Sequence, residues 1–269
     1  MSARQHTPRV LIFDSGVGSL SIGAAIHDLL PEVELLYVMD HDGFPYGEWD
    51  EAKLTAHICA TIDQVLSAHH VDLLVMACNS ASTAVLPALR KQITIPVVGV
   101  VPAIKPAAAL SQSGVIGLLA TPGTVSRPYT AQLIQDFAAN CHIIAVGSRE
   151  LAPAVENYIW HGQELDAVLH KVKTAFSQHP EFAHMDTVVL ACTHFPLVAK
   201  QLSTLMPNIN WVDSGQAIAR RVAFLIEQLG LTTMPDKLAT QSVIILGEEP
   251  ISASLQCYLQ ANNIHINAG

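Results

Sequence analysis

Closely spaced cysteines are missing from this chain: of the five, Cys59, Cys78, Cys141, Cys192 and Cys257, no two lie closer than 19 positions. Without a CxxC, neither a disulfide framework nor a zinc site is written in the sequence, and any special cysteine is special as a thiol. Charge is also scarce. Asp, Glu, Lys and Arg make up 14% of 269 residues, against about 25% in an ordinary soluble domain. That excludes a disordered chain, a coiled coil or a solvated tail, because much of the sequence must be buried. Positive charge is scarcest, with 14 Lys plus Arg against 23 Asp plus Glu and a net charge of −9. Nucleic acid is therefore not an expected partner, since phosphate binding wants a basic surface. Long apolar runs are lacking too, despite a mean hydropathy of +0.34. The longest uncharged stretch, 106–126, is interrupted by Ser111, Gln112, Ser113, Gly114, Thr121, Pro122, Gly123 and Thr124. A membrane span needs roughly 18 or more apolar residues, so no membrane is expected. The first apolar run, VLIF at 10–13, falls short of the roughly 7–15 residues of a secretory signal. A reducing, cytoplasmic compartment is the expectation.

What the chain does contain is alternation. Short apolar runs at 10–13, 35–38, 71–77, 97–101, 115–119, 186–191 and 243–247 read as strands. Between them, Leu54, Ile58, Ile62, Val65 and Leu66 recur at helical spacing, as do Leu165, Val168, Leu169, Val172 and Phe176, and 218–229 reads as a further helix. The fold class is α/β with mainly parallel sheets flanked by helices. VDLLVMA at 71–77 is too apolar to have a wet face, as expected deep in a parallel sheet.

The pattern repeats. VMACNSAS at 75–82 and VLACTHFP at 189–196 share one grammar: an apolar strand, then Ala-Cys, then polar residues opening a helix. IFDSGVG at 12–18 has a looser echo in LLATPGT at 118–124. Two related α/β halves are implied, with a Pro-rich joint at Pro96, Pro102 and Pro106.

Cys78 and Cys192 each stand where a strand gives way to a helix, the place where open α/β sheets bind ligands. Free N–H groups and the positive end of a helix dipole favour a thiolate there. Asn79 and Ser80 follow the first cysteine, Thr193 and His194 the second. Cys59, Cys257 and Cys141 have no such context and read as core or structural residues. FDSGVGS at 13–19 is a Gly-rich turn without nucleotide-binding spacing, in which Asp14 ends a strand and serves either as an N-cap or in the site. Tyr46 in the PYG turn is a capping aromatic or a ligand hydroxyl. Of 13 histidines, His27, His57, His69, His70 and His170 fall on helical surfaces, and His194 alone stands beside a candidate nucleophile.

One cysteine with a histidine suggests acyl transfer. Two, one from each half, suggest removal of a proton from one face of a carbon and its return to the other, for which a tuned thiol is a suitable acid and base. A cysteine hydrolase built on Cys192 and His194, and a non-catalytic amino-acid-binding protein, stay open on residues alone.

FDSGVGSLS, PYG, ACNSAS, VVPAIKPA, GLLATPGTV, LACTHFPL and VDSG, in that order, resemble the glutamate racemases of the cofactor-independent aspartate/glutamate racemase superfamily. The resemblance implies interconversion of L- and D-glutamate for peptidoglycan synthesis, with no cofactor. It implies two pseudo-symmetric domains, expected at 1–98 plus 212–269 and at 99–211, with the site in the cleft between them. It implies Cys78 and Cys192 as the catalytic pair, assisted by Asp14, His194 and Glu156. Asp14, Ser15, Tyr46, Gly47, Asn79, Ser80, Thr193 and His194 are the implied substrate contacts, and a homodimer is the implied association. Two positions depart from the family pattern. Ser19 stands where Gly is usual and Ser80 where Thr is usual; Ser80 keeps the hydroxyl and loses a methyl, and Ser19 matters only where φ > 0 is required.

Overall fold

The structure is a computed structural model that describes residues 6–231 and 239–267. In chain order its elements begin with β1 (Arg9–Asp14), α1 (Ser19–Leu29), β2 (Glu34–Asp40), α2 (Glu51–Ala68), β3 (Leu73–Met76), α3 (Asn79–Gln92) and β4 (Val97–Gly99). There follow α4 (Ile104–Leu110), β5 (Val115–Ala120), α5 (Pro122–Ser126), α6 (Pro128–Phe137), β6 (His142–Gly147), α7 (Leu151–His161), α8 (Asp166–Ser177), β7 (Thr187–Leu190), α9 (Ala199–Leu205) and β8 (Asn210–Val212). The chain ends with α10 (Gly215–Gln228), β9 (Gln241–Leu246), α11 (Ala253–Ala261) and β10 (Ile264–Ile266).

These elements form two compact units, Met1–Val100 with Gly215–Gly269, and Val101–Ser214. The first holds a sheet in the order β10-β9-β2-β1-β3-β4 and the second a sheet in the order β6-β5-β7-β8. Every strand pair is parallel. Within each sheet the chain therefore visits its first four strands in one order, second-first-third-fourth. The repeated sequence grammar is thus matched by repeated topology, and β9 and β10 extend the first sheet alone.

Burial explains the strand sequences. β3, β5 and β7 are buried at every residue, as parallel strands covered on both faces must be. In the first unit, Leu11, Phe13, Leu36, Val38, Leu74 and Met76 form one core with Leu54, Ile58, Ile62 and Val65 of α2 and Val85, Leu86 and Leu89 of α3. Asp50 starts α2 by accepting from the Ala52 and Lys53 amides at 3.1 Å, satisfying donors that a helix start leaves unpaired. On the opposite face α1 lies so close to Tyr37 that a β-carbon on Gly23 would collide with the ring. In the second unit, Ile116, Leu118, Ala120, Val189 and Ala191 pack with Ile104 and Ala107 of α4. The other face of β5 meets α8, where Phe176 comes within 2.9 Å of the β-carbon position of Gly117.

Several expectations are revised. The strands expected at 71–77, 97–101 and 186–191 shorten to the spans given above for β3, β4 and β7. Cys257 is exposed, because α11 buries only Leu255 and Leu259. The Gly-rich turn uses no left-handed residue: Gly18 has φ −54°, and the positive-φ positions lie elsewhere. Ser19 opens α1 with its hydroxyl on the Gly16 carbonyl at 3.2 Å, so serine is accommodated there without backbone strain. No helix among the described residues is long and apolar enough to cross a membrane.

Candidate active site

Strand order locates the sites before any side chain is considered. In an order second-first-third-fourth the connections change direction between the first and third strands, and ligands bind at the carboxyl ends of the strands at such a switch point. In the first unit this point lies between β1 and β3, in the second between β5 and β7. The two are built alike. The Ala77 amide donates to the Phe13 carbonyl at 2.8 Å, and the Ala191 amide to the Leu119 carbonyl at 2.8 Å. Each cysteine is the residue immediately after that last tie, held at the sheet edge while its chain leaves the sheet.

In the first unit Cys78 is the N-cap of the 14-residue α3, and its carbonyl accepts the Ser82 amide at 2.9 Å. It stands at the positive end of the helix dipole, where negative charge is stabilised. Ser82 fixes the turn from behind: its hydroxyl donates to the Met76 carbonyl at 3.0 Å and accepts the Val100 amide at 3.1 Å. Asp14, fully buried at the end of β1, accepts the Ser15 amide at 2.6 Å and the Ser15 hydroxyl at 3.2 Å through Oδ1. Asp14 is therefore not the cap of α1; that position is Gly18, with no side-chain cap. Asn79 is buried, and its Oδ1 has no hydrogen-bond donor among the described residues. Ser80 lies beside Gly47, whose β-carbon position is 3.8 Å from the Ser80 hydroxyl.

Tyr46 opens a short 3-10 turn, Tyr46–Glu48, and donates its hydroxyl to Asp40 Oδ2 at 2.5 Å. His57 Nε2 meets the same oxygen at 2.5 Å. Burial, then the charge and hydrogen bond of Asp40, then the neighbouring Cys78 and Asp14, push the Tyr46 phenol far above its ordinary value. It remains a neutral donor at any working pH. Asp40 was not singled out from sequence, and His57 is corrected from a solvated helix position to a half-buried partner of this carboxylate. The available signal was an acid at the carboxyl end of an apolar strand, the same signal that drew attention to Asp14.

The second unit is organised differently around its cysteine. The expected helix entrance after Cys192 is instead a 3-10 turn at Phe195–Val198, followed by the seven-residue α9, so no long helix dipole bears on this thiol. Pro196 stands at the start of that turn, a position where its missing amide costs an α-helix nothing. Histidine takes the dipole's place. Cys192 Sγ is 3.9 Å from His194 Nδ1, and His194 Nε2 is 2.6 Å from Glu156 Oε2. All three side chains are buried, as is Thr193. Glu156 sits within the buried stripe of α7, among Leu151, Ala152, Val155, Ile159 and Trp160, where a carboxylate needs a partner. Burial by itself would lower the His194 pKa, but the hydrogen bonds and negative charge of Cys192 and Glu156 override it and raise the imidazole well above its ordinary value. The imidazole thus bridges a buried carboxylate and a buried sulfur.

Each unit thus carries a buried cysteine at a switch point, one at the start of a long helix and one beside a buried histidine paired with Glu156. Residues 20–222 match the Asp/Glu/hydantoin racemase family. The chain belongs to that family. Among relatives of this racemase, the glutamate racemase of Pectobacterium carotovorum subsp. carotovorum (strain PC1) is 48% identical over 224 residues, 82% of this chain and 78% of that protein. The glutamate racemase of Shewanella sp. (strain ANA-3) is 49% identical over 220 residues, 81% of this chain and 79% of its own length. The crystal structure of Escherichia coli glutamate racemase in complex with L-glutamate and the activator UDP-MurNAc-Ala superposes with a TM-score of 0.86 at 42% identity, covering 97% of each chain. Both cysteines of the racemase, with Asp14 and His194, fall at or just beyond the carboxyl ends of strands, and Glu156 reaches His194 from α7.

Proposed function

We propose that this racemase interconverts L- and D-glutamate by two-base proton transfer at the α-carbon, with Cys78 and Cys192 as the bases. In the scheme Cys192, as thiolate, removes the α-proton of L-glutamate, and Cys78, as thiol, delivers a proton to the opposite face. For D-glutamate the roles reverse, so each turnover leaves the pair in the opposite protonation state and solvent exchange resets it. The observation that carries this reading is the chemistry common to both switch points: a buried cysteine, one at a helix dipole and one beside a buried imidazolium. The close relatives that are glutamate racemases support the choice of substrate.

The remaining roles follow from the functional groups available. The orphan Oδ1 of Asn79 calls for a donor, which the substrate ammonium supplies. Amides at the start of α3 and the hydroxyls of Ser15, Ser80 and Thr193 are suited to carboxylate oxygens. Tyr46, locked onto Asp40, fixes the backbone of Tyr46 and Gly47 beside Ser80 instead of offering a free hydroxyl. Asp14 and His194 assist the two thiols. The biological role we assign is supply of D-glutamate for peptidoglycan in the bacterial cytoplasm.

The test is loss of optical rotation from L-glutamate without added cofactor. Cys78→Ser and Cys192→Ser should each abolish racemisation in both directions, and L-aspartate should turn over far more slowly than L-glutamate. The triad-like order Cys192–His194–Glu156 also fits a cysteine hydrolase. That reading requires a covalent acyl-enzyme and full activity in Cys78→Ser, and either result would displace the racemase mechanism.

A further inference from the structure

At the opposite end of β3 from Cys78 lies a cluster with no part in the chemistry above. His6 Nε2 is 2.8 Å from Asp72 Oδ1 and 3.0 Å from Oδ2. His70 Nε2 is 3.2 Å from His6 Nε2 and 3.4 Å from Asp72 Oδ1. The Asp72 side chain is 7% exposed, while the two imidazoles open towards solvent at 32% and 61%. Asp72 Oδ2 is anchored by the Arg9 amide at 2.9 Å, which leaves Oδ1 facing both rings. Among the described residues this is the group of side chains spaced to share one metal ion.

We propose that His6, His70 and Asp72 form a binding site for a divalent transition ion of the zinc, cobalt or nickel class. The point equidistant from the three ligand atoms lies about 1.8 Å from each at these separations. An ion with bonds of about 2.0–2.1 Å therefore rides roughly 0.9 Å above their plane, on the face of a tetrahedron or octahedron. Two imidazoles and one carboxylate suit borderline ions over calcium or magnesium, which prefer oxygen ligands alone. Hydrogen bonding satisfies the cluster less well. A proton on His6 Nε2 directed at the carboxylate leaves His70 only the long 3.4 Å approach to Asp72 Oδ1, against a ring nitrogen 3.2 Å away with no lone pair to offer, whereas a cation serves all three ligands together. The adjacent Arg9 guanidinium opposes a second cation, but its Nε and Nη2 are both held 2.8 Å from Glu34 Oε2, which offsets that charge.

The bound ion would tie the segment leading into β1 to the segment leading into β3. It would do so without touching the reaction, because β3 separates Asp72 from Cys78 by up to roughly 20 Å of extended chain. The test uses Co(II) and Zn(II) alone, added to the metal-free full-length protein and to His70→Ala and His6→Ala. One equivalent of Co(II) should bind with a d–d spectrum lacking thiolate-to-metal charge transfer. Zn(II) should displace it and raise Tm. Both variants should bind about tenfold or more weakly, and His70→Ala should keep wild-type racemase activity. Asp72 is left intact because it also holds the Arg9 amide. Charge-transfer bands from a cysteine, equal affinity in the variants, or no binding at millimolar metal would each overturn the proposal.

Discussion

Replacing Glu156 by Gln isolates what the buried carboxylate does for His194 and, through it, for Cys192. Gln retains the length and an acceptor oxygen, so the 2.6 Å contact persists as a neutral hydrogen bond. A hydrogen bond to a charged group contributes about 1.5–3 kcal/mol and a neutral one about 0.5–1.5 kcal/mol, so the difference is about 1–2 kcal/mol. At 1.36 kcal/mol per pKa unit, the His194 pKa should fall by about one unit. The activity lost should approach about tenfold on the alkaline side, above the folded His194 value, and be smaller at neutral pH. The folded-state pKa of His194 is raised, so its stabilising contribution is complete below about pH 6.5, the unfolded value, and is lost as pH rises through the folded value. The stability gap between wild type and variant should therefore narrow on the alkaline side. The assay is kcat/KM from pH 6 to 10 for both enantiomers, with Tm at each pH. The equilibrium constant between mirror images is unity, so kcat/KM must fall equally in both directions, while the alkaline limb moves to lower pH. An unchanged alkaline limb, or a loss confined to KM with kcat intact, would refute a role for Glu156 in charging His194.

Ser82→Ala removes both ties that fix α3 behind Cys78 and leaves the buried Val100 amide without its acceptor. Unfolding by urea should show a loss of about 1–3 kcal/mol. Asp186 accepts from the hydroxyls of Ser111 and Thr187 and the amides of Gln112 and Ser113 at 2.6–2.9 Å. Although partial burial opposes ionisation, these bonds lower its pKa to about 2. Its contribution is therefore present above about pH 3.9 and is lost as pH falls towards 2. Asp186→Asn should flatten the acid limb of a Tm-against-pH profile, and an unaltered limb would show that those bonds carry no linkage. Gly23→Ala drives a methyl into the Tyr37 ring and should cost about 1–3 kcal/mol by overpacking, measurable as a lower Tm.

The layered α/β class was legible because parallel strands buried on both faces must be continuously apolar, and 73–77 and 115–119 are. Three of the four edge strands, β6, β8 and β10, were not. β6 alternates between exposed and half-buried residues with only Ile144 buried, and β8 is a three-residue strand, so neither carries a periodic signal. Cys78 and Cys192 were visible through a repeated motif, but their different surroundings were not. Nothing in the shared motif separates a long helix after Cys78 from a 3-10 turn after Cys192. Glu156 entered through family resemblance, although its place in the spacing of Leu151, Val155 and Ile159 already put a carboxylate on an apolar stripe. Asp40 and His57 escaped notice because their partnership bridges a strand end and a helix surface, a tertiary fact with no local spacing.

The most direct test of paired bases is isotopic. L-glutamate is incubated briefly in D₂O, stopped at a few per cent conversion, and each enantiomer is examined at its α-carbon. The D-glutamate formed should be deuterated while the remaining L-glutamate keeps its protium, with the mirror result when starting from D-glutamate. Product that retains the original α-proton would contradict the account.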